Sequence, residues 1–236
     1  MREKMKQVFS ALQMPLDDEV LEQLSTYQAL LCEWNERMDL TNVPPEEMPL
    51  RHFADSLKPL FDAPELFIKG AQIIDVGTGA GFPGLPLAIA RKDFQVTLLD
   101  AQQKRCDFLQ EVVSKLALSN VNVLHMRAED AGKAAGLREQ FDLAVARAVA
   151  PMNILLEYLL PFVKVGGHAL AWKGPAVLEE LPSAERAAAL LGGGWMEKRE
   201  GMLEDRTQIL VSVQKTHETP KQYPRKSGIP SKKPLG

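Results

Sequence analysis

The sequence has little of what defines several large classes of protein. Its 236 residues include two cysteines, Cys32 and Cys106, which lie far apart without a CxxC spacing. This excludes a disulfide framework, and with no zinc spacing present we predict no bound metal. The most apolar run, ILLEYLLPFV, is interrupted by Glu157 and is shorter than the roughly 18 residues of a membrane span. The opening MREKMKQVFSAL lacks the apolar centre of a signal peptide, so we expect a cytoplasmic protein without membrane contact.

The charge is slightly negative and unevenly spread. The whole chain carries −3, yet residues 219–236 contain five Lys or Arg and no Asp or Glu, which leaves −8 for the remainder. An acidic body with a basic tail indicates a polyanionic partner that is held locally. A solvated, disordered tail is the alternative.

Two hydrophobic patterns divide the chain. Residues 1–70 follow a helical period, as in DDEVLEQLSTYQALLCEWNERMDL. From residue 71, the apolar runs AQIIDVG, QVTLLD, VNVLH, FDLAVAR, HALAWK and TQILVSVQK alternate with helical stretches. Apolar strands separated by helices predict a parallel sheet that is covered on both faces. We therefore predict a helical N-terminal extension packed on the core over 1–70, an α/β core over 71–215 and a basic tail over 216–236.

The first strand is followed by the loop DVGTGAGFPG. In an open α/β sheet this loop faces the ligand at the carboxyl ends of the strands. Its glycines allow a ligand to approach the backbone closely. The residues Gly79, Gly81 and Gly84 also match the dinucleotide pattern GxGxxG, which by itself is weak evidence for NAD(P). NAD(P) and S-adenosylmethionine are therefore the two candidate ligands.

Two features favour S-adenosylmethionine. Asp75 stands at the strand end, where a carboxylate opposes a pyrophosphate but suits the cationic aminoacyl end of a sulfonium ligand, directly or through water. Pro83 and Pro86 remove amide donors that a pyrophosphate would need.

Asp100, at the end of VTLLD, can accept both ribose hydroxyls with either ligand. After the third strand, Ala128 and Glu129 are candidates for adenine contacts, and a helix cap is the alternative for Glu129.

The strand FDLAVAR ends at Arg147. If the ligand is S-adenosylmethionine, this is where methyltransferases of this fold usually place the residues specific to their reaction. Adenine-N6 methyltransferases need an Asn/Asp-Pro-Pro-aromatic motif there and cytosine-C5 enzymes need a cysteine, and this chain has neither. Arg147 can hold a phosphate or a purine oxygen, and an ion pair with an acid, such as Asp142 or Glu129, is the alternative. A guanine N7 carries a free lone pair, so its methylation needs alignment more than a general base. We assign no catalytic residue.

His52, in RHFADSL, shares nearly one helix face with Asp55. A core or capped histidine is the structural alternative to a contact with substrate.

Several motifs occur together in one order: WNERMDLTNV, RHFADSL, IIDVGTGAGFPGLPLAI, LLDAQQKRCDFL, RAED, ARAVAP, WKG and YPRKSGIPSKKPL. In this combination, over nearly the whole chain, the sequence resembles the bacterial RsmG (GidB) family of 16S rRNA guanine-N7 methyltransferases. The resemblance implies a class I, Rossmann-like sheet, mostly parallel with an antiparallel edge strand. It also implies transfer of a methyl group from S-adenosylmethionine to a guanine N7 in the 530 loop, within the small subunit or an assembly intermediate. No obligate protein partner is indicated.

The resemblance and the fold together give a set of candidate residues. Those for the cofactor are Gly77, Gly79, Phe82, Asp100, Ala128, Glu129 and Arg147. Those for RNA are Arg147, Lys173, Arg225, Lys226 and His52, with the lysines and Arg225 chosen for their charge. Three other functions stay open at this point: an NAD(P)-dependent oxidoreductase, a non-catalytic RNA-binding factor, and a methyltransferase for a small molecule.

Overall fold

The computed structural model describes residues 1–147 and 149–236. Ala148, within ARAVAP, lies outside the described residues. Seven strands form one sheet with the order β3-β2-β1-β4-β5-β7-β6. They are Gln72–Val76 (β1), Gln95–Asp100 (β2), Val121–His125 (β3), Phe141–Arg147 (β4), Val163–Lys173 (β5), Gly193–Leu203 (β6) and Arg206–Lys215 (β7).

Ten helices surround this sheet in the described part of the chain. They are Arg2–Ala11 (α1), Asp18–Asn35 (α2), Asp55–Leu57 (α3), Pro59–Asp62 (α4), Gly84–Ala90 (α5), Gln103–Lys115 (α6), Ala128–Ala131 (α7), Met152–Leu159 (α8), Val177–Leu190 (α9) and Ile229–Lys232 (α10). A π-helical segment, Pro49–Ala54, runs directly into α3. No helix among the described residues is long and apolar enough to cross a membrane.

The sheet is mostly parallel, as the sequence predicts. Strands β1 to β5 pair in parallel, whereas β7 is antiparallel to β5 and β6 is antiparallel to β7. The prediction of a mostly parallel sheet with an antiparallel edge is thereby confirmed, although it missed β6. The strand order reverses at β1, between β2 and β4, and such a switch point is where open α/β sheets bind ligands.

Alternate residues of the central strands pack on opposite faces of the sheet. Ile73 and Leu98 join a core with α1, α2, α5 and α6. Ile74 and Leu99 join a second core with α8 and α9. Burial on both faces explains why these strands are apolar throughout. The N-terminal helices thus share one core with the sheet and bring the segment 49–57 to its carboxyl edge.

Candidate functional site

The glycine loop leaves β1 at the centre of this edge. Gly77 has φ +70°, which a side chain would strain, and a Cβ there would lie 3.2 Å from the Val149 side chain. A Cβ on Gly84 would lie 2.5 Å from the Leu98 side chain and 2.8 Å from a carboxylate oxygen of Asp75. Glycine at these two positions therefore lets the loop turn tightly and lets α5 pack directly against the sheet.

Asp75 organises this loop from inside. Its carboxylate is fully buried, and its Oδ2 accepts hydrogen bonds from the Thr78 hydroxyl (2.6 Å) and the Gly84 amide (2.8 Å). Burial raises the pKa of Asp75 to about 6. From the sequence we predicted that Asp75 contacts the aminoacyl end of the ligand, directly or through water. In the structure, Asp75 lines none of the three cavities described below. Its Oδ1 has no partner among the described residues.

Asp100 lies at the end of β2, as expected. Its Oδ2 accepts the Gly79 amide and its Oδ1 accepts the Gln102 amide, both at 2.9 Å. Two backbone bonds fix the carboxylate, and its free lone pairs remain available to a ligand. Asp100 is nearly buried yet lines two neighbouring cavities.

Three adjoining cavities lie along this edge. The rear cavity, of about 230 Å³, lies between the ends of β1 and β2, the start of α7, α8 and the C-terminal segment; it is lined by Val76, Gly77, Leu99, Asp100, Ala101, Met126, Arg127, Ala128, Glu129, Val149, Tyr158, Gly228 and Ser231. The middle cavity, of about 450 Å³, lies over the glycine loop; it is lined by Leu40, Thr41, His52, Gly77, Thr78, Gly79, Ala80, Phe82, Asp100, Ala101, Gln102, Arg105, Arg147 and Val149.

The front cavity, of about 390 Å³, lies between the 49–57 segment and the β6–β7 hairpin; it is lined by Val43, Arg51, His52, Asp55, Arg147, Trp172, Lys173, Gly174, Leu203, Arg206, Thr207 and Gln208. The rear and middle cavities share Gly77 and Asp100, while the middle and front cavities share His52 and Arg147. The three cavities therefore form a continuous series, with His52 and Arg147 as the partition between the last two.

Arg147 is held from several directions. Its Nη1 donates to Asp55 Oδ2 (2.8 Å) and to the Arg51 carbonyl (3.1 Å), and its Nη2 donates to His52 Nδ1 (3.1 Å). The guanidinium carbon lies 4.8 Å from the centre of the Phe82 ring, a cation–π distance. The predicted alternative, an ion pair with an acid, is confirmed, but the acid is Asp55 and neither Asp142 nor Glu129, the two examples that the sequence suggested.

Strand geometry explains why Asp142 does not reach Arg147. Asp142 is the second residue of β4 whereas Arg147 is the last, and five residues of strand span about 17 Å. Asp142 instead pairs with Lys164 at 3.1 Å. Glu129 accepts the Gly228 amide at 2.9 Å.

His52 is part of this partition and is buried. Burial, together with the positive charge of Arg147, lowers the pKa of His52 to about 3, so the ring is neutral. Because arginine only donates, Nδ1 must accept from Arg147, and Nε2–H then donates to the Thr41 hydroxyl at 2.7 Å. The ring stacks on Phe82 at 4.5 Å. His52 thus has both nitrogens in internal contacts, which does not support the RNA role that the sequence suggested.

Asp55 connects this partition to the sheet, a role that sequence alone did not assign. Its Oδ1 accepts Gln208 Nε2 at 2.8 Å, and its backbone carbonyl accepts Trp172 Nε1 at 3.0 Å. Both partners lie more than 100 residues away in sequence, so local spacing showed only that Asp55 and His52 share a helix face.

The other RNA candidates differ in how free their charge is. Lys173 lines the front cavity but donates to Glu180 and to the Ala150 carbonyl, both at 2.8 Å. Arg225 forms a bidentate pair with the fully buried Glu157 (2.6 Å). Lys226 is exposed. The internal pair accounts for the charge of Arg225, so the geometry does not support its predicted RNA contact.

The donor set fits S-adenosylmethionine. Asp100 can take ribose hydroxyls, and the rear cavity offers the buried Glu129 beside an apolar surface. Near the glycine loop, Arg147 has N–H groups left without a partner in the described residues, and these suit a carboxylate. No cluster of three His, Cys, Asp or Glu that could hold a metal occurs in the described part of the chain.

Comparison with known proteins identifies the family. The family model for rRNA small subunit methyltransferase G matches residues 20–203. The chain belongs to this family. Proteins named ribosomal RNA small subunit methyltransferase G are 47% identical over 93% of this chain and 92% of their own length in Alkaliphilus metalliredigens, and 44% identical over 99% of both chains in Brevibacillus brevis. The small subunit methyltransferase G family uses S-adenosylmethionine, and membership removes the oxidoreductase alternative.

Solved structures support the same fold. The structure of M. jannaschii TYW2 in complex with AdoMet aligns with a TM-score of 0.51 at 17% identity over 67% of this chain and 74% of that one. A SAM-dependent methyltransferase from Aquifex aeolicus aligns with a TM-score of 0.50 at 21% identity over 68% and 91%. At these identities the likeness shows the fold alone, a Rossmann-like methyltransferase fold.

Proposed function

We propose that the protein transfers a methyl group from S-adenosylmethionine to N7 of a guanine in the 530 loop of 16S rRNA. The single observation that carries this proposal is the continuous series of cavities. The rear and middle cavities fit the cofactor, and the front cavity adjoins them across His52 and Arg147. An acceptor base in the front cavity would then lie next to the methyl group. The cofactor-binding set remains the predicted one: Gly77, Gly79, Phe82, Asp100, Ala128, Glu129 and Arg147.

The volumes of the cavities support the assignment of both the rear and the middle cavity to the cofactor. Ligand sites commonly measure roughly 300–1,000 Å³, so the rear cavity alone, at about 230 Å³, suits one part of a ligand. Asp100 lies where the rear and middle cavities meet, which suits a ribose. The adenine then occupies the rear cavity, and the methionine part extends over Gly77 and Gly79 toward Arg147.

The front cavity offers no free general base among its described lining residues. His52 uses both ring nitrogens, toward Arg147 and Thr41. Asp55 forms an ion pair with Arg147 at 2.8 Å and also accepts a hydrogen bond from Gln208. The remaining ionisable groups of the lining are cationic: Arg51, Lys173 and Arg206. Such a site suits an acceptor that attacks through a lone pair and loses no proton.

Guanine N7 is an acceptor of this kind. The bound cofactor supplies an electrophilic methyl group: the N7 lone pair forms the new N–C bond while the S–C electron pair passes to sulfur. The products are S-adenosylhomocysteine and a cationic 7-methylguanine. The protein contributes alignment of the two reactants and exclusion of water.

Positive charge around the front cavity favours RNA as the substrate. Arg206 is exposed at the start of β7. Arg51 pairs with Glu47 at 2.6 Å, and its buried Nε has no partner in the described residues. Phosphate contacts position a nucleic acid, and a guanidinium can also contact guanine O6. Lys173 is another predicted RNA residue, but its pair with Glu180 accounts for its charge as the pair with Glu157 does for Arg225, whereas Lys226 is exposed. The relatives are named for small subunit rRNA, and we extend that substrate to this chain, within the small subunit or its assembly intermediate and in the cytoplasm.

One experiment tests reaction, substrate and atom together. Small ribosomal subunits from cells lacking the gene are incubated with the protein and S-adenosylmethionine labelled in the methyl group, and borohydride–aniline cleavage then maps 7-methylguanine. We expect a single cleavage in the 530 loop that is absent without the enzyme.

Other results would redirect the proposal. Label in RNA without aniline cleavage would retain a methyltransferase and reject N7. Absence of label in RNA, despite measured cofactor binding, would favour a small-molecule methyltransferase or a non-catalytic RNA-binding protein.

A further inference from the structure

The C-terminal segment 216–236 reaches the rear cavity. Gly228 and Ser231 line that cavity together with residues of β1, β2 and α8, which lie far away in sequence. The family model ends at residue 203, whereas the Brevibacillus brevis relative aligns over 99% of the chain and so includes most of this segment. The basic tail therefore has a contact that its charge did not indicate.

Hydrogen bonds join this segment to the wall of the rear cavity. The Gly228 amide donates to Glu129 Oε1 at 2.9 Å. The Ser231 hydroxyl lies 3.1 Å from the Tyr158 hydroxyl. Glu129 is 6% exposed, so the Gly228 amide holds a nearly buried carboxylate in place. Glu129 is also a predicted cofactor residue.

The remainder of the segment is fixed by buried charged groups. Lys215, with no exposed side-chain surface, donates to Glu139 (3.1 Å) and to the Thr219 hydroxyl (2.7 Å). Arg138 Nη1 donates to the Tyr223 carbonyl at 2.8 Å. The Arg225–Glu157 pair lies three residues before Gly228. Buried and half-buried charges whose partners lie on the segment define one chain path, which a disordered tail does not have.

We propose that residues 227–231 form part of the cofactor-binding site and close its adenine end. This inference rests on the proposed placement of adenine in the rear cavity. The segment would bind by enclosing apolar ring surface and by orienting the Glu129 carboxylate toward the ring. Both effects act on the adenosine half of the ligand and are independent of the methionine half.

Two ligands distinguish an effect on the adenosine half from an effect on the methionine half. S-adenosylmethionine contains both, whereas 5′-methylthioadenosine contains adenosine without the aminoacyl group. We expect Ser231→Trp to weaken both ligands by the same factor, about tenfold, because the indole takes up part of the rear cavity and the hydroxyl contact with Tyr158 is lost. Isothermal titration calorimetry measures both affinities without RNA.

A neighbouring substitution is the matched control. Lys232 is exposed and does not line the cavity, so Lys232→Trp should leave both affinities within twofold. Deletion of residues 227–236 is a second variant, which retains the Arg225–Glu157 pair and should weaken both ligands in parallel. Circular dichroism and Tm confirm that each variant is folded.

The outcomes distinguish this inference from the proposed function. Unchanged affinities in Ser231→Trp and in the deletion, or equal losses in Ser231→Trp and Lys232→Trp, would overturn the role of the segment. A loss confined to S-adenosylmethionine would also overturn it, because it would place the effect at the methionine half. If Asp100→Ala left both affinities unchanged, the placement of the cofactor itself would fail.

Discussion

At the scale of single residues, the site depends on how Arg147 is fixed. An anion, a neutral imidazole, a backbone carbonyl and an aromatic face each hold one part of the guanidinium. Three of its five N–H donors are used in these contacts. The other two have no partner among residues 1–147 and 149–236 and can bind a ligand from a guanidinium that is already oriented, which lowers the entropy cost of binding.

The neutral state of His52 has a consequence for stability. Its pKa is about 3 in the folded protein and about 6.5 in an unfolded chain. The unfolded chain therefore binds a proton that the folded protein does not, so the contribution of His52 is complete above pH 6.5 and is lost as the pH falls toward 3. Burial raises the pKa of Asp75 to about 6, so the contribution of Asp75 to stability changes with pH in the opposite direction. It is fully present below about pH 3.8 and is lost as the pH rises to 6.

A His52→Asn variant isolates the first effect, because Asp75 is common to both proteins. The free energy of unfolding of the wild type minus that of the variant should rise by about 1.4 kcal/mol per pH unit between pH 4 and 6 and level off above 7. Urea titrations at each pH provide the measurement. A difference that does not change with pH would show that His52 is not held neutral.

Asp100 tests the ribose end of the proposed cofactor site. Asp100→Ala should weaken S-adenosylmethionine by about 10- to 100-fold, since a charged acceptor of hydroxyl groups is lost. Asp107→Ala is the matched control, because Asp107 is an exposed acid on the adjacent α6. Calorimetry measures both. Equal affinities in the two variants would contradict the assignment.

At the scale of elements, the C-terminal segment depends on the pair of Arg225 with Glu157. Arg225→Met leaves Glu157 buried without its partner, and we expect a loss of about 3 kcal/mol in the free energy of unfolding. The double variant Glu157→Leu with Arg225→Met should recover much of it, since both charges are then removed. Chemical denaturation measures the three proteins. A stable single variant would mean that the pair does not anchor the segment.

The sequence predicted best those elements whose burial in the fold produces one simple hydrophobic pattern. Central strands are covered on both faces, so β1, β2 and β4 read as apolar runs. Edge strand β6, GGWMEKREGML, is largely exposed and charged, and charged side chains are what protects a sheet edge from pairing with another chain. Its sequence therefore resembled a loop, and the prediction missed it.

The functional site, too, could be predicted from the sequence only in part. Glycines and an acid at strand ends predicted a cofactor loop, because their positions follow from local chain geometry. The partners of Arg147 and Arg225 did not follow, since Asp55 and Glu157 lie 92 and 68 residues away. Asp75 was assigned to the ligand because sequence shows its place in the chain but not which way its carboxylate points.

At the scale of the whole molecule, charge limits how the protein binds RNA. The body carries −8 outside residues 219–236, and Arg225 is internally paired. Few free cations give modest affinity for naked RNA that falls steeply with salt. We expect faster methylation of small subunits than of protein-free rRNA at physiological salt, as measured with labelled cofactor. Equal rates on both substrates would contradict this expectation.

We propose that the three adjoining cavities form one path from cofactor to acceptor. A crystal structure with S-adenosylhomocysteine tests this most directly. We predict adenine in the rear cavity between Glu129 and Gly228, ribose at Asp100, the aminoacyl end near Gly77 and Arg147, and the sulfur facing the front cavity. A ligand bound in the front cavity, or one whose sulfur faces away from it, would contradict the account.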